Sequence, residues 1–168
     1  MQTAPLAAPF CYLRPMSKLK SLGASSGAGK SGLDLLRLMQ HADNRAAMAV
    51  TLDMHIAEVE DGRVVLTSTP GRHLENTNGV VQGGYAASLL DMACGYAIIS
   101  RLPAGKTCAT LDLKVAYHRP VRFEAGDVRV EGQVTSLGKR AAFSEARLTD
   151  AEGTLLASAT ATFLVTEL

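Results

Sequence analysis

A single carboxylate, Asp91, lies inside the otherwise apolar stretch 81–101, flanked by Leu89, Leu90, Met92 and Ala93. Acids in such company are almost never fully buried without a partner. Apolar surroundings favour the neutral carboxyl, and acids perturbed in this way concentrate at functional sites. Asp91 can therefore be read as a general base or nucleophile, or as a side chain that accepts hydrogen bonds from a neighbouring strand. Eight residues earlier stand Gly83 and Gly84. A helix opening there leaves its first N–H groups without intrahelical acceptors, at the positive end of the helix dipole. Two glycines would let a carbonyl oxygen approach those donors, which is what an oxyanion site requires. They would equally permit tight helix–strand packing. Asn76, Asn78 and Gln82 add neutral polar groups that can orient a carbonyl or a water, although Asn78-Gly79 also reads as an ordinary turn.

Other chemistry-bearing residues are sparser. His118-Arg119, just before Pro120, and Lys139-Arg140, just after Gly138, are cationic pairs that either meet phosphate or sit as solvated strand ends and turns. Residues 24–31, ending in Gly29-Lys30-Ser31, approximate a phosphate-binding loop. No buried strand precedes them and no parallel sheet pattern follows, so nucleotide binding is not supported. Cys11, Cys94 and Cys108 show no CxxC or CxxH spacing, and no metal site is expected.

The elements that must position these groups follow from periodicity. Residues 1–31 read as a flexible leader, because SLGASSGAGKSG is small and lacks an apolar period. Residues 32–168 form one domain. Leu33, Leu35, Leu36 and Met39 share one face of a short helix for which Ser31 is a candidate N-cap. From Met48 the period becomes two: Met48, Val50, Leu52, Met54 and Ile56 alternate with polar or small residues, predicting a strand that turns at Asp61-Gly62 into RVVLTST. The long apolar helix at 81–101 comes next. Segments 107–117, 127–136, 140–149 and 154–165 then read as four strands. In the first of these, Leu111, Leu113, Val115 and Tyr117 alternate with Thr110, Asp112 and Lys114. The order predicts an α+β fold, one antiparallel sheet wrapped around one helix.

Composition narrows the function classes. The 168 residues are 47% hydrophobic and 20% charged, with 17 basic and 16 acidic side chains and a formal net charge of +1. This suits a chain with a sizeable core and carries no electrostatic footprint for nucleic acid. Asp91 and the glycine pair argue against a membrane span at 81–101. Three cysteines cannot form a fully paired disulfide framework, and the N-terminus places apolar residues before basic ones, the reverse of a secretory signal. A cytoplasmic location is expected.

The run Asn76-Thr77-Asn78-Gly79-Val80-Val81-Gln82-Gly83-Gly84, followed by Asp91, resembles the motif of the hotdog-fold acyl-CoA thioesterases of the phenylacetate-degradation type. The similarity extends from the Leu33 helix to Val165 and takes in GLDLLRLM, EDGRVVL, TLDLKVAYHRPV and ATATFLV. The resemblance implies that Asp91 activates water or attacks the thioester directly. It implies that the Gly83 N–H, with Asn76, polarises the thioester carbonyl, and that Thr110 helps hold the water. Gly84 would face the substrate, and His118, Arg119, Lys139 and Arg140 would lie toward the nucleotide part of CoA. Gln82 departs from the family, which has His there; Gln donates a hydrogen bond but moves no proton near neutral pH. No cofactor is implied, since the CoA thioester is the substrate. The family forms homodimers that pair into homotetramers, with Asn76 and Gly83 of one protomer facing Asp91 of its partner. The depth of the acyl slot would depend on how Tyr85, Leu89 and Met92 pack. Two other functions remain open at this stage. One is a non-catalytic acyl-CoA or fatty-acyl binding protein on the same fold, with Gln82 marking lost chemistry. The other is a dehydratase, against which the missing His counts.

Overall fold

A computed structural model describes residues 29–41 and 45–168. Most of the expected leader, and most of the phosphate-loop-like run, lie outside the described residues. Ser31 caps the first helix, α1 (Gly32–His41): its Oγ accepts the Asp34 N–H at 3.2 Å and donates to the Asp34 carboxylate at 2.6 Å. The helix is anchored where the Gly32 N–H donates to the Leu102 carbonyl.

The strand expected from Met48 begins later. Ala47–Thr51 is one short helical turn, α2, with Ala49 buried and Met48 and Val50 more than half exposed. Two apolar residues in alternation cannot separate a strand from a turn of helix. Here burial of Ala49 alone suits the helix, and the Thr51 hydroxyl donates back to the Ala47 carbonyl. The chain reverses at Asp53, whose φ of 47° is one that Asp tolerates better than most residues. Strand β1 (Met54–Glu60) follows, turns through Asp61-Gly62 and pairs with β2 (Arg63–Ser68). Gly62 supplies the φ of +82° that the tight hairpin demands.

The apolar helix α3 spans Gly83–Ser100. It is followed by β3 (Lys106–Tyr117), β4 (Val128–Leu137), β5 (Ala141–Thr149) and β6 (Leu155–Glu167). All pairings are antiparallel, in the order β1-β2-β4-β5-β6-β3. One six-stranded sheet around one long helix is the hotdog arrangement the motif implies. Tyr85, Ala86, Leu89, Leu90, Ala93, Cys94, Ala97 and Ile98 form the buried stripe of α3, recurring at one-turn spacing. They meet Val64, Leu66, Val128, Val130 and Leu148, all 0% exposed. Small inward residues on the sheet let the helix sit close. At Gly132 a Cβ would collide with the Ala93 carbonyl, so β4 can cross α3 at this point only as glycine. The C-terminal end of α3 is tied to the β1–β2 hairpin through Ser100, whose Oγ accepts the Gly62 N–H at 2.8 Å.

The opposite face of α3 carries Gly84, Ala87, Ser88, Asp91, Met92, Gly95 and Tyr96, and it is only partly covered. The helix is thus apolar on nearly all sides, as its sequence predicts, yet one face is left half-open.

Candidate active site

Asp91 sits on that half-open face, two turns into α3, and is half-buried rather than enclosed. The Thr110 hydroxyl of β3 donates to Asp91 Oδ1 at 3.0 Å. An irregularity in β3 makes this contact possible. Thr110 pairs with Phe163 and Asp112 with Thr162, so Leu111 bulges out of register. The strict alternation read from the sequence would place Thr110 on the face opposite to Leu113, Val115 and Tyr117. The bulge resets the phase, so that Cys108, Thr110, Leu113, Val115 and Tyr117 all face the helix side. Cys108 Sγ approaches the Gly95 carbonyl at 3.8 Å, and Tyr117 Oη donates to the Gly83 carbonyl at 3.0 Å. Strand β3 therefore runs along α3 and touches it beside Asp91 and again at its N-terminus.

At that N-terminus, Gln82 is the N-cap residue, with φ −60° and ψ 135°, and its side chain caps nothing. Its own N–H donates to the Leu74 carbonyl, and Tyr85 N–H returns to the Gln82 carbonyl. The N–H groups of Gly83 and Gly84 have no acceptor among the described residues. Two adjacent uncapped donors at the positive end of an 18-residue helix form a ready site for a polarised carbonyl oxygen. The two glycines have different reasons to be bare. A Cβ on Gly83 would press on the Tyr117 ring at 3.3 Å, so packing within the chain explains it. A Cβ on Gly84 would meet only Gln82 Cγ at 3.9 Å, so nothing inside the chain requires glycine at this exposed position. The bare backbone there is open to approach from outside.

Asn76 is occupied locally. Its Oδ1 accepts the N–H groups of Asn78 at 2.8 Å and Val80 at 3.3 Å, holding the loop that leads to the helix. The Asn76 amide nitrogen makes no such bond among the described residues, so the residue builds the loop and has a donor to offer.

Two clefts flank the start of α3, and Gln82 borders both. One, of about 250 Å³, is lined by Gly83, Ala86, Tyr117, Val121 and Ala157, together with His118 and Arg119. The other, of about 330 Å³, lies between Leu52, Leu74, Gly84 and Ser88, with His73 and Glu75. Of the three residues expected to shape an acyl slot, Tyr85 alone borders one of these clefts, the second. Tyr85 and Leu89 are 3% and 0% exposed and point into the core, where the Tyr85 hydroxyl bonds Ser68 Oγ at 2.7 Å. Burial pushes that phenol up to about 12. Only Met92 remains partly open. The helix periodicity sends positions 85 and 89 to the sheet, which a list of apolar neighbours does not reveal.

The cationic pairs are far apart in one chain. His118 Nε2 bonds Ser158 Oγ at 2.9 Å, and Arg119 donates to the Leu155 carbonyl at 3.1 Å, at the start of β6. Lys139 and Arg140 are exposed in the β4–β5 turn, where the Arg140 carbonyl accepts the Val165 N–H near the end of β6. Along β6, the Leu156 carbonyl accepts the His118 and Arg119 N–H groups and Val165 bonds Arg140, so the two pairs stand nine residues, or about 30 Å, apart. Cys94 and Cys108 do not compete as nucleophiles: burial pushes both thiols up to about 11. Among the described residues, no three His, Cys, Asp or Glu side chains gather as a metal site would need, and no helix is long and apolar enough to cross a membrane.

The residue that sequence reasoning overlooked is Tyr117. It was legible as an apolar strand position, but nothing in its spacing tied its hydroxyl to Gly83.

Comparison with known proteins agrees with this geometry. Residues 78–157, which include the glycine pair, Asp91 and Thr110, match the family model described as the thioesterase superfamily. A Halobacterium salinarum protein named for an inferred esterase activity is 32% identical over 143 residues, covering 79% of this chain and 93% of its own. Among solved structures, a phenylacetic acid degradation-related protein of Ralstonia eutropha, named for an inferred thioesterase activity, superposes with a TM-score of 0.69 at 28% identity. That match covers 76% of this chain and 96% of the other. A thioesterase family protein of Silicibacter pomeroyi gives a TM-score of 0.69 at 25% identity, over 74% of this chain and 92% of its own. A hotdog sheet, an uncapped glycine pair and a helix-borne aspartate held by a strand hydroxyl thus occur in a chain that belongs to the thioesterase superfamily.

Proposed function

We propose that this protein hydrolyses an acyl-CoA thioester to the free acid and CoA, in a site built between two protomers. The observation that carries the reading is a separation. Eight residues of helix place Gly83 and Asp91 about 12 Å apart along the axis. One thioester carbon cannot touch both within a single chain. The donors of one protomer must then meet the Asp91 of another, and β3, an edge strand carrying Thr110, is the surface left free for that meeting. In the assembled site, the Gly83 N–H, with the free donor of Asn76 and the exposed backbone of Gly84, takes the thioester oxygen. Asp91, oriented by Thr110, removes a proton from a water that attacks the carbonyl carbon. The C–S bond then breaks, and the CoA sulfur leaves to be protonated. Asp91 can alternatively attack the carbon itself, forming an anhydride that water opens.

His118 and Arg119 beside one cleft, and Lys139 and Arg140 from a turn, supply cations for the phosphates of CoA. The chemistry calls for no cofactor or metal. The same reading extends to a homotetramer of paired dimers, as the family resemblance implies. The reading places the enzyme in the cytoplasm with its CoA substrates, and assigns it neither a nucleic-acid partner nor a membrane span.

The test is a panel of acyl-CoAs with release of free thiol as readout, run on the wild type, Asp91→Asn and Gln82→His. Asn keeps the shape and loses the charge, so kcat is expected to fall about a hundredfold or more, with KM little changed. Gln82→His is expected to match or exceed the wild-type rate. An Asp91→Asn protein at wild-type rate would remove this acid from the mechanism. Tight binding without turnover by the wild type would favour an acyl-CoA-binding protein instead, the reading that Gln82 keeps in play.

A further inference from the structure

The geometry points to Tyr117 as a positioning residue for the oxyanion donors, acting through the Gly83 carbonyl. Its phenol oxygen donates to that carbonyl at 3.0 Å, and its ring lies against Gly83, 3.3 Å from where a Cβ would be. The Gly83 carbonyl belongs to the same peptide unit as the Gly84 N–H, one of the two free donors. It is also the acceptor that the Ala87 N–H uses in the first helical turn.

First turns fray, because their donors lack partners. This one has no side-chain cap and opens with two glycines, the residue most costly to order. Left to itself, the Gly83-Gly84 peptide would sample many orientations, whereas an oxyanion site requires its donors fixed before the charge develops. Tyr117 supplies the missing restraint from outside the helix. It ends β3, pairs with Ala157 of β6, and so refers the glycine peptide to the sheet. The same strand fixes Asp91 through Thr110, so in the two-protomer site each edge strand sets the donors of one site and the acid of the other.

The proposal rests on the thioesterase reading, and its test keeps the two apart. Tyr117→Phe retains the ring over Gly83 and deletes only the hydroxyl. With any acyl-CoA that the wild type hydrolyses, kcat is expected to fall about five- to twentyfold, less than the loss of an oxyanion donor itself. KM and the unfolding midpoint should stay near wild type. In parallel, hydrogen exchange of the peptide covering residues 83–88 should be several-fold faster in Tyr117→Phe than in the wild type, with the rest of α3 unchanged. That second measurement needs no turnover. An unchanged kcat in an active protein would overturn the proposal. So would unchanged exchange at 83–88, whether or not the wild type hydrolyses acyl-CoA. A wild type without activity but with the accelerated exchange would sink the thioesterase reading and leave Tyr117 as the restraint on the glycine peptide.

Discussion

At one edge of the sheet, β1 has its free side closed by the chain itself, whereas at the other, β3 runs for 12 residues with no strand on its outer side among the described residues. On β1, a bulge at Ala57 breaks the register, and the Gln40 side chain of α1 donates to the Ala57 carbonyl at 2.7 Å. Arg45 reaches the Met54 carbonyl at 3.3 Å. The outer face of this side is also stapled: Arg63 and Arg129 bridge Glu58 and Glu131 across three strands. Strand β3 has no such cover. Its bulge exposes Leu111 to 62%, and Asp112 and Lys114 form no ion pair among the described residues. Open edges invite pairing with another chain, and proteins blunt those they do not use. The chain covers one edge with side chains from α1 and from Arg45 and leaves the other bare, next to its catalytic candidates, which is the edge the proposed dimer would use.

The largest expected effect lies on the open edge. Leu111→Lys adds a charge where a second copy would pair, and a dimer seen by light scattering should weaken about a hundredfold or more, on the scale of a desolvated unpaired charge. Activity should fall with the dimer while the unfolding midpoint hardly moves. An unchanged mass would break the comparison. Thr110→Val, which keeps the β-branched shape, should lower kcat about ten- to a hundredfold by removing the donor that orients Asp91, since bonds to charged groups contribute about 1.5–3 kcal/mol. Steady-state kinetics at saturating acyl-CoA would read it.

Effects on the closed edge should be smaller and confined to stability. Gln40→Ala returns the Ala57 carbonyl to water and should cost about 0.5–1.5 kcal/mol in denaturant unfolding, with mass and turnover unaltered. Acid provides the mildest probe. Hydrogen bonds from Arg63, with Arg129 assisting, hold the Glu58 and Glu131 carboxyls below the ordinary value of 4.5. Lowered folded values mean that the network's contribution is complete above that value and fades as the pH falls through the lowered ones. These groups are well exposed, so about 1 kcal/mol is the most each pair should contribute. Unfolding midpoints followed from pH 7 to pH 3 should decline less steeply for Glu58→Gln than for the wild type.

Much of this architecture was readable before any coordinates. The helix expected at 81–101 occupies Gly83–Ser100, and the four later strands begin and end within two residues of their periodicity. Long apolar stretches and unbroken alternation carry that information, because burial of one face demands it. Legibility failed where the pattern was short. Met48 and Val50 alternate over too few residues to mean a strand, and the bulge at Leu111 leaves no mark, since an inserted residue looks like any other.

The amino-acid sequence alone determined the α+β order, the polar break at Gly83-Gly84 and the lone acid at Asp91, because each is a local property of residue type and spacing. Only the tertiary structure decided which groups share a site. The phase of β3, reset by one bulge, aims Thr110 at Asp91 and Tyr117 at Gly83. The helical period hides Tyr85 and Leu89 in the core. The rise of α3 holds the donors and the acid too far apart for one chain to bring both to one carbonyl. Distances between side chains depend on how strands cross a helix, and that crossing is set by packing at places such as Gly132 against Ala93, remote in sequence from the groups it positions.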